Sequence, residues 1–156
     1  MPAYYQSTQS QFVKAPPQKV YEALTDWAQR SQWRKGIALE WDGDSTAFLN
    51  QKVVFKVQGL FPHAFSFRVA GLEPPRRFYM EYIGPLKGRA SLEIIPQEGG
   101  SLALFHWMKV EPAGFWPRLY FALGLGMRAH RARTLETLGM LKQHLEAKVP
   151  PRKDPQ

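Results

Sequence analysis

Three side chains in this 156-residue sequence carry chemistry that could orient or transform a small molecule held in apolar surroundings: His106, His130 and Tyr82. His106 sits inside the alternating series Leu102, Leu104, Met108, Val110, and His130 falls on the apolar stripe of a helical stretch. Imidazole titrates near neutral pH, so two histidines reaching one cavity could orient a carbonyl or hydroxyl, or act as general acid and base. A phenol at Tyr82 would add a hydrogen bond within an apolar wall. The same residues also read as separately hydrogen-bonded structural groups, and both readings stay open. Other chemistries find no foothold. With no cysteine, disulfides, thiolate metal ligands and cysteine nucleophiles are excluded. The sequence lacks a glycine-rich phosphate loop, a His-Glu-x-x-His pair, a G-x-S-x-G elbow and paired carboxylates at a telling spacing. Four scattered histidines predict no metal site, and no cofactor is expected.

These side chains need elements to place them. Tyr5 to Lys14 suits an edge strand, broken by Pro16 and Pro17. Proline fits the first turn of a helix, and Val20, Leu24 and Trp27 then share one helical face. A second short helix is expected from Gln29 to Lys35, ending at Gly36. Asp26, ahead of Trp27, reads as its cap.

From Ile37 the period changes to two. Ile37, Leu39 and Trp41 alternate up to the turn signal Asp42-Gly43. Further alternating series contain Val53, Phe55 and Val57; Phe65, Phe67 and Val69; Phe78, Met80 and Tyr82; Ala90, Leu92 and Ile94; and Leu102 to Val110. Short spacings leave no room for crossover helices, so the sheet is expected to be an antiparallel meander with one polar face. Glu81, Glu93 and Arg89 fall on the polar parity. After Gly114 the period returns to 3.6, with Met127, His130, Thr134, Leu138, Leu141 and Leu145 on one stripe. A helix from about Met127 to Ala147 is predicted, with Gly124 and Gly126 marking a kink or late start. The fold class is therefore α+β: strand, two short helices, six strands, long helix.

If the apolar parity faces that helix, the space between is lined by Phe55, Phe65, Phe67, Phe78, Met80, Tyr82, Leu104, His106, Met108, Leu123, Met127 and His130. Aromatic and methionine walls with few polar groups suit an apolar ligand. They equally suit a solid, close-packed core.

Composition bounds the rest. Hydrophobic residues make up 44% and aromatics 13%, enough for one real core in a single domain over residues 1–148, with a disordered proline-rich basic tail at 149–156. No secretory signal is recognisable at the start, no apolar run reaches membrane-spanning length, and a cytoplasmic location is expected. The formal charge of +8 is spread along the chain and reads first as a solvated basic surface. Phe115, Trp116, Tyr120 and Phe121 near Arg118 form an aromatic-basic cluster, which suits transient contact with an anionic membrane or a ribonucleoprotein, or else a buried hinge. Nucleic acid is not an expected partner, since no stacking platform demands one.

Several strings together resemble the START-like, or Bet v1-like (SRPBCC), superfamily, in particular its polyketide cyclase/dehydrase branch. They are Ala15-Pro-Pro-Gln-Lys-Val20-Tyr21, Leu24-Thr25-Asp26-Trp27 with Trp33, Leu72-Glu73-Pro74-Pro75-Arg76-Arg77-Phe78, Gly84-Pro-Leu-Lys-Gly88-Arg89-Ala90, and Gly99-Gly100-Ser101. The likeness runs from about Gln11 to Lys148, and its weight lies in the order of the strings. It implies a helix-grip fold: a curved seven-stranded sheet wrapped around the C-terminal helix, with a cavity between them. Members bind lipids, sterols, aromatic polyketides, hormones or quinones, and some catalyse cyclisation or dehydration. The resemblance therefore implies an apolar small-molecule ligand for a carrier or sensor, with a cyclase/dehydratase as the alternative. It transfers no catalytic residue.

Overall fold

A computed structural model describes residues 4–59 and 63–147; the expected tail at 149–156 lies outside the described residues. Elements follow in the order β1 (Tyr5–Val13), α1 (Pro17–Thr25), α2 (Trp27–Trp33), β2 (Ile37–Trp41), β3 (Lys52–Val57), β4 (His63–Glu73), β5 (Arg77–Ile83), β6 (Leu86–Gln97), β7 (Gly100–Pro112), α3 (Phe115–Ala122) and α4 (Leu125–Ala147). The seven strands form one antiparallel sheet in the order β1-β7-β6-β5-β4-β3-β2. Only the β1–β7 pairing joins strands distant in sequence, and it closes the meander with the first strand. The long α4 packs across the inner face, which makes this the α+β helix-grip arrangement expected from the sequence.

Local chemistry sets these elements in place. Pro16 and Pro17 open α1, where a missing N–H costs nothing. Asp26 ends that helix and caps the next: its carboxylate accepts from Gln29 N at 3.3 Å and from Ser45 Oγ at 2.9 Å. Such a cap contributes about 1 kcal/mol. Gly36, at φ 83°, turns the chain into β2 in a conformation that favours glycine. On the outer face, Arg68–Glu81 and Arg77–Glu93 pair across strands at 3.0 and 3.2 Å, on the polar parity expected for Glu81 and Glu93.

The core sits between sheet and α4, under α1 and α2. Trp27 is its hub, fully buried and edge-on to Phe67 and Phe78 at 5.8 and 5.7 Å. Its indole N–H donates to Gln51 Oε1, and the Gln51 amide in turn donates to the Asp42 and Asp44 carbonyls, tying the β2–β3 loop to the core. From α4, His130, Thr134, Leu138, Leu141 and Leu145 are buried, the stripe read from the sequence.

Two features depart from the expected layout. An eight-residue helix, α3, occupies the segment read as a cluster or hinge, and Gly124 at φ 80° separates it from α4. The second departure is in β7. Arg89 pairs with Lys109 but Ala90 pairs with Trp107, so Met108 is an extra residue opposite β6, and the β1 pairing shifts at the same place. This β-bulge moves the inward parity from Ala103, Phe105 and Trp107 to Val110 and Pro112. Leu104, His106 and Met108 consequently lie on the outer face, not on the cavity wall. There His106 Nδ1 meets Thr8 Oγ1 at 2.6 Å across the β1–β7 pair.

Candidate ligand-binding site

Two adjacent chambers lie between the sheet and α4 and share part of their walls. The outer one, about 560 Å³, is bounded by α3, the start of β4, the β5–β6 turn and the first turns of α4. The inner one, about 60 Å³, reaches towards α1 and α2 beneath Phe55, Met80, Leu92 and Leu138. Phe65, Leu86, Trp107, His130 and Arg133 border both, so they form the neck.

A chain of polar contacts crosses this neck. Trp107 Nε1 donates to Tyr82 Oη at 3.0 Å. The Trp107 ring lies nearly parallel to the His130 ring, with centroids 3.4 Å apart and 18° between planes. Both His130 nitrogens have partners: Nε2 meets Ser7 Oγ at 2.9 Å, and Nδ1 lies 3.5 Å from Thr134 Oγ1. Burial, with further repulsion from Arg133 and Arg131, pushes His130 down to about 3, so the ring is neutral at physiological pH. Burial pushes Tyr82 up to about 12, opposed by its Trp107 hydrogen bond and by the charges of Arg30 and Arg133. Its phenol therefore keeps its proton.

The arginines were not foreseen. Arg133 sits three residues beyond His130 on α4; its guanidinium lies 5.6 Å from the Phe65 ring centre and 3.1 Å from His63 Nε2. Arg30, from α2, borders the inner chamber with 6% of its surface exposed. Its guanidinium lies 5.2 Å from the Phe55 ring centre and 5.9 Å from Trp27, and donates to Leu24 O at 3.3 Å. Burial first, and then the neighbouring Arg34, lower it to about 10, which leaves it charged at neutral pH.

Of the residues expected to line a cavity, Phe55, Phe65, Met80, Tyr82 and His130 border one or both chambers, and Leu123 reaches the outer one from the end of α3. Phe67 and Phe78 face inward but are used up in packing against Trp27. Met127 packs against the core and borders neither chamber. Leu104, His106 and Met108 are excluded by their outward parity. Phe105, which the sequence reading missed, supplies part of the wall together with Trp107 and with Phe121 of the aromatic-basic cluster. Arg133 could have been found, because a residue three places from His130 shares its helical face. No sequence signal separates Arg30 from a surface arginine.

Among the described residues no three His, Asp or Glu side chains gather into a metal-binding group, and no helix is long and apolar enough to cross a membrane. A concave, mostly apolar space with several aromatic walls and a few polar groups at its neck has the form of a small-molecule site.

Solved structures with the same fold come from several organisms. A protein from Thermus thermophilus superposes with a TM-score of 0.74 at 13% identity, over 93% of this chain and 99% of that one. A protein of unknown function from Staphylococcus aureus gives 0.71 at 16% identity, covering 96% and 98%. A Polyketide_cyc-like protein from Corynebacterium glutamicum gives 0.57 at 19% identity over the whole of both chains. At these identities the likeness is one of fold. No curated protein sequence matches this chain. The family model described as polyketide cyclase / dehydrase and lipid transport matches residues 5–146, nearly the whole described fold from β1 to α4, and the chain belongs to that family.

Proposed function

We propose that the protein binds one apolar small molecule, lipid-like or aromatic, in the two-chamber cavity and serves as its carrier or sensor. The observation that carries this reading is the outer chamber itself: about 560 Å³ walled by Phe65, Leu86, Trp107, Leu119 and Phe121. Family membership supports an apolar ligand without naming it. Binding is favoured over proton-transfer catalysis by the state of His130. A base held near 3, with both nitrogens already engaged, is poorly matched to proton abstraction near neutral pH. His106, the other expected acid-base group, faces away from the cavity.

The test uses Nile red, a neutral apolar dye, followed by fluorescence and native mass spectrometry. One dye is expected per chain. Leu86→Trp, which adds bulk at the neck, should weaken binding about tenfold, equivalent to roughly 1.4 kcal/mol, while leaving the thermal midpoint nearly unchanged. Absence of a one-to-one complex, or undiminished binding by the Leu86 variant, would remove the cavity from consideration.

A further inference from the structure

The inner chamber is unlike the rest of the core because it contains positive charge with no carboxylate to answer it. Arg30 is buried and its Nε has no hydrogen-bond partner among the described residues. Its neighbour Arg34 is accounted for, bonded to Thr137 Oγ1 at 2.7 Å and lying 3.7 Å from Glu136. Arg30 has no such arrangement: its hydrogen bond to a main-chain carbonyl and two aromatic faces offset only part of the cost of taking a guanidinium out of water. Among the described residues, neither chamber has an Asp or Glu on its wall. A buried charge left in this condition destabilises the fold unless something else uses it.

The surroundings supply further donors in the same space. Arg133 stands at the neck, and Tyr82, which feels the charges of both Arg30 and Arg133, keeps its phenolic proton. Tyr82 Oη accepts from Trp107, while among the described residues no acceptor takes its own proton. Three donors, two of them cationic, thus border about 60 Å³, and the outer chamber beyond them is walled mainly by apolar side chains such as Leu86, Leu119, Phe121 and Leu123. That volume has room for two oxygens in place of roughly two waters. A planar guanidinium and a carboxylate are matched hydrogen-bonding partners.

We infer that the inner chamber is a receptor for the carboxylate of an apolar acid, held by Arg30 with Arg133 and Tyr82, while the hydrocarbon or aromatic body of the acid occupies the outer chamber. This deepens the binding reading above and rests on it. The ligand class becomes monocarboxylic acids with an apolar body, inserted head first. Arg30 anchors the head group, and Leu86, Trp107 and Phe65 at the neck limit its width.

Displacement of Nile red by dodecanoate, dodecanol and methyl dodecanoate separates this inference from the reading beneath it. Dodecanoate should displace the dye about ten to a hundred times more effectively than the alcohol or the ester, the usual range for hydrogen bonds to charged groups. Arg30→Met should abolish that preference while retaining dodecanol binding, and without ligand it should melt no lower than the parent, since an apolar side chain relieves a buried charge. Arg133→Met, at the neck and less buried, gives a second variant in which the preference should fall without disappearing. Equal displacement by acid and alcohol in the parent protein would overturn the carboxylate receptor and leave the apolar cavity standing. Failure of Nile red and all three dodecyl compounds to bind would overturn both.

Discussion

Replacing Gly88 with alanine is expected to destabilise the protein by about 3–5 kcal/mol, combining backbone strain with overpacking against fixed backbone. Gly88 holds φ 129°, a conformation that side chains rarely adopt. A Cβ there would lie 2.0 Å from Lys109 O and 2.9 Å from Val110 Cα. Both are main-chain atoms of the neighbouring strand beside the bulge, so no rotamer change relieves the clash. Gly84 supplies the control. It also has positive φ, at 97°, but a Cβ there meets nothing within 4 Å. Gly84→Ala should therefore show only the conformational part, about 1 kcal/mol. Urea denaturation of the two variants separates the effects, and equal losses would show that the close approach at Lys109 is unimportant.

Acid should unfold the protein partly through one buried ring. In the folded chain His130 stays neutral until about pH 3, whereas an unfolded histidine takes up a proton near 6.5. The neutral ring's contribution is therefore fully present above the higher value and drains away as pH falls towards the lower one, because only the unfolded state gains the proton. By pH 4 the loss should reach about 3 kcal/mol. The cause is burial against Trp107, with repulsion from Arg133 and Arg131 adding to it. His130→Gln keeps a polar side chain facing Ser7 and Thr134 but cannot titrate. Comparing urea midpoints at pH 7 and pH 4 in both proteins cancels the contributions of carboxylates common to them. The parent should lose roughly 3 kcal/mol more than the variant across this window. Parallel losses would mean that the ring already meets water in the folded state.

The architecture was legible because sheet and helix impose different periods on apolar residues. Strands β3, β5 and β6 each carry one apolar parity and one mainly polar parity, broken by Val54, Ile83 and Ile95, so their inward faces could be assigned from sequence, and so could the stripe from His130 to Leu145 on α4. The segment Leu102 to Val110 carries apolar residues on both parities, and its bulge changes phase partway. Alternation alone chose the wrong face for Leu104, His106 and Met108 while choosing correctly for Val110. Helix α3 escaped because Pro117 and the flanking glycines read as breakers, although proline is accommodated in a first turn. The donors of the inner chamber were hidden for another reason: sequence patterns equate charge with solvent, and Arg30 is charged and buried at once.

The bulge in β7 also bears on how such a cavity can vary between relatives. Met108 is surplus to the pairing with both neighbouring strands. Without it, simple alternation would still turn Trp107 and Val110 inward and Lys109 outward. What the additional residue adds is local twist and bend next to the edge strand β1, beside the neck of the cavity. Insertion or deletion of a single residue there is thus a dial on the shape of the binding space, one that turns without substituting any side chain in its wall.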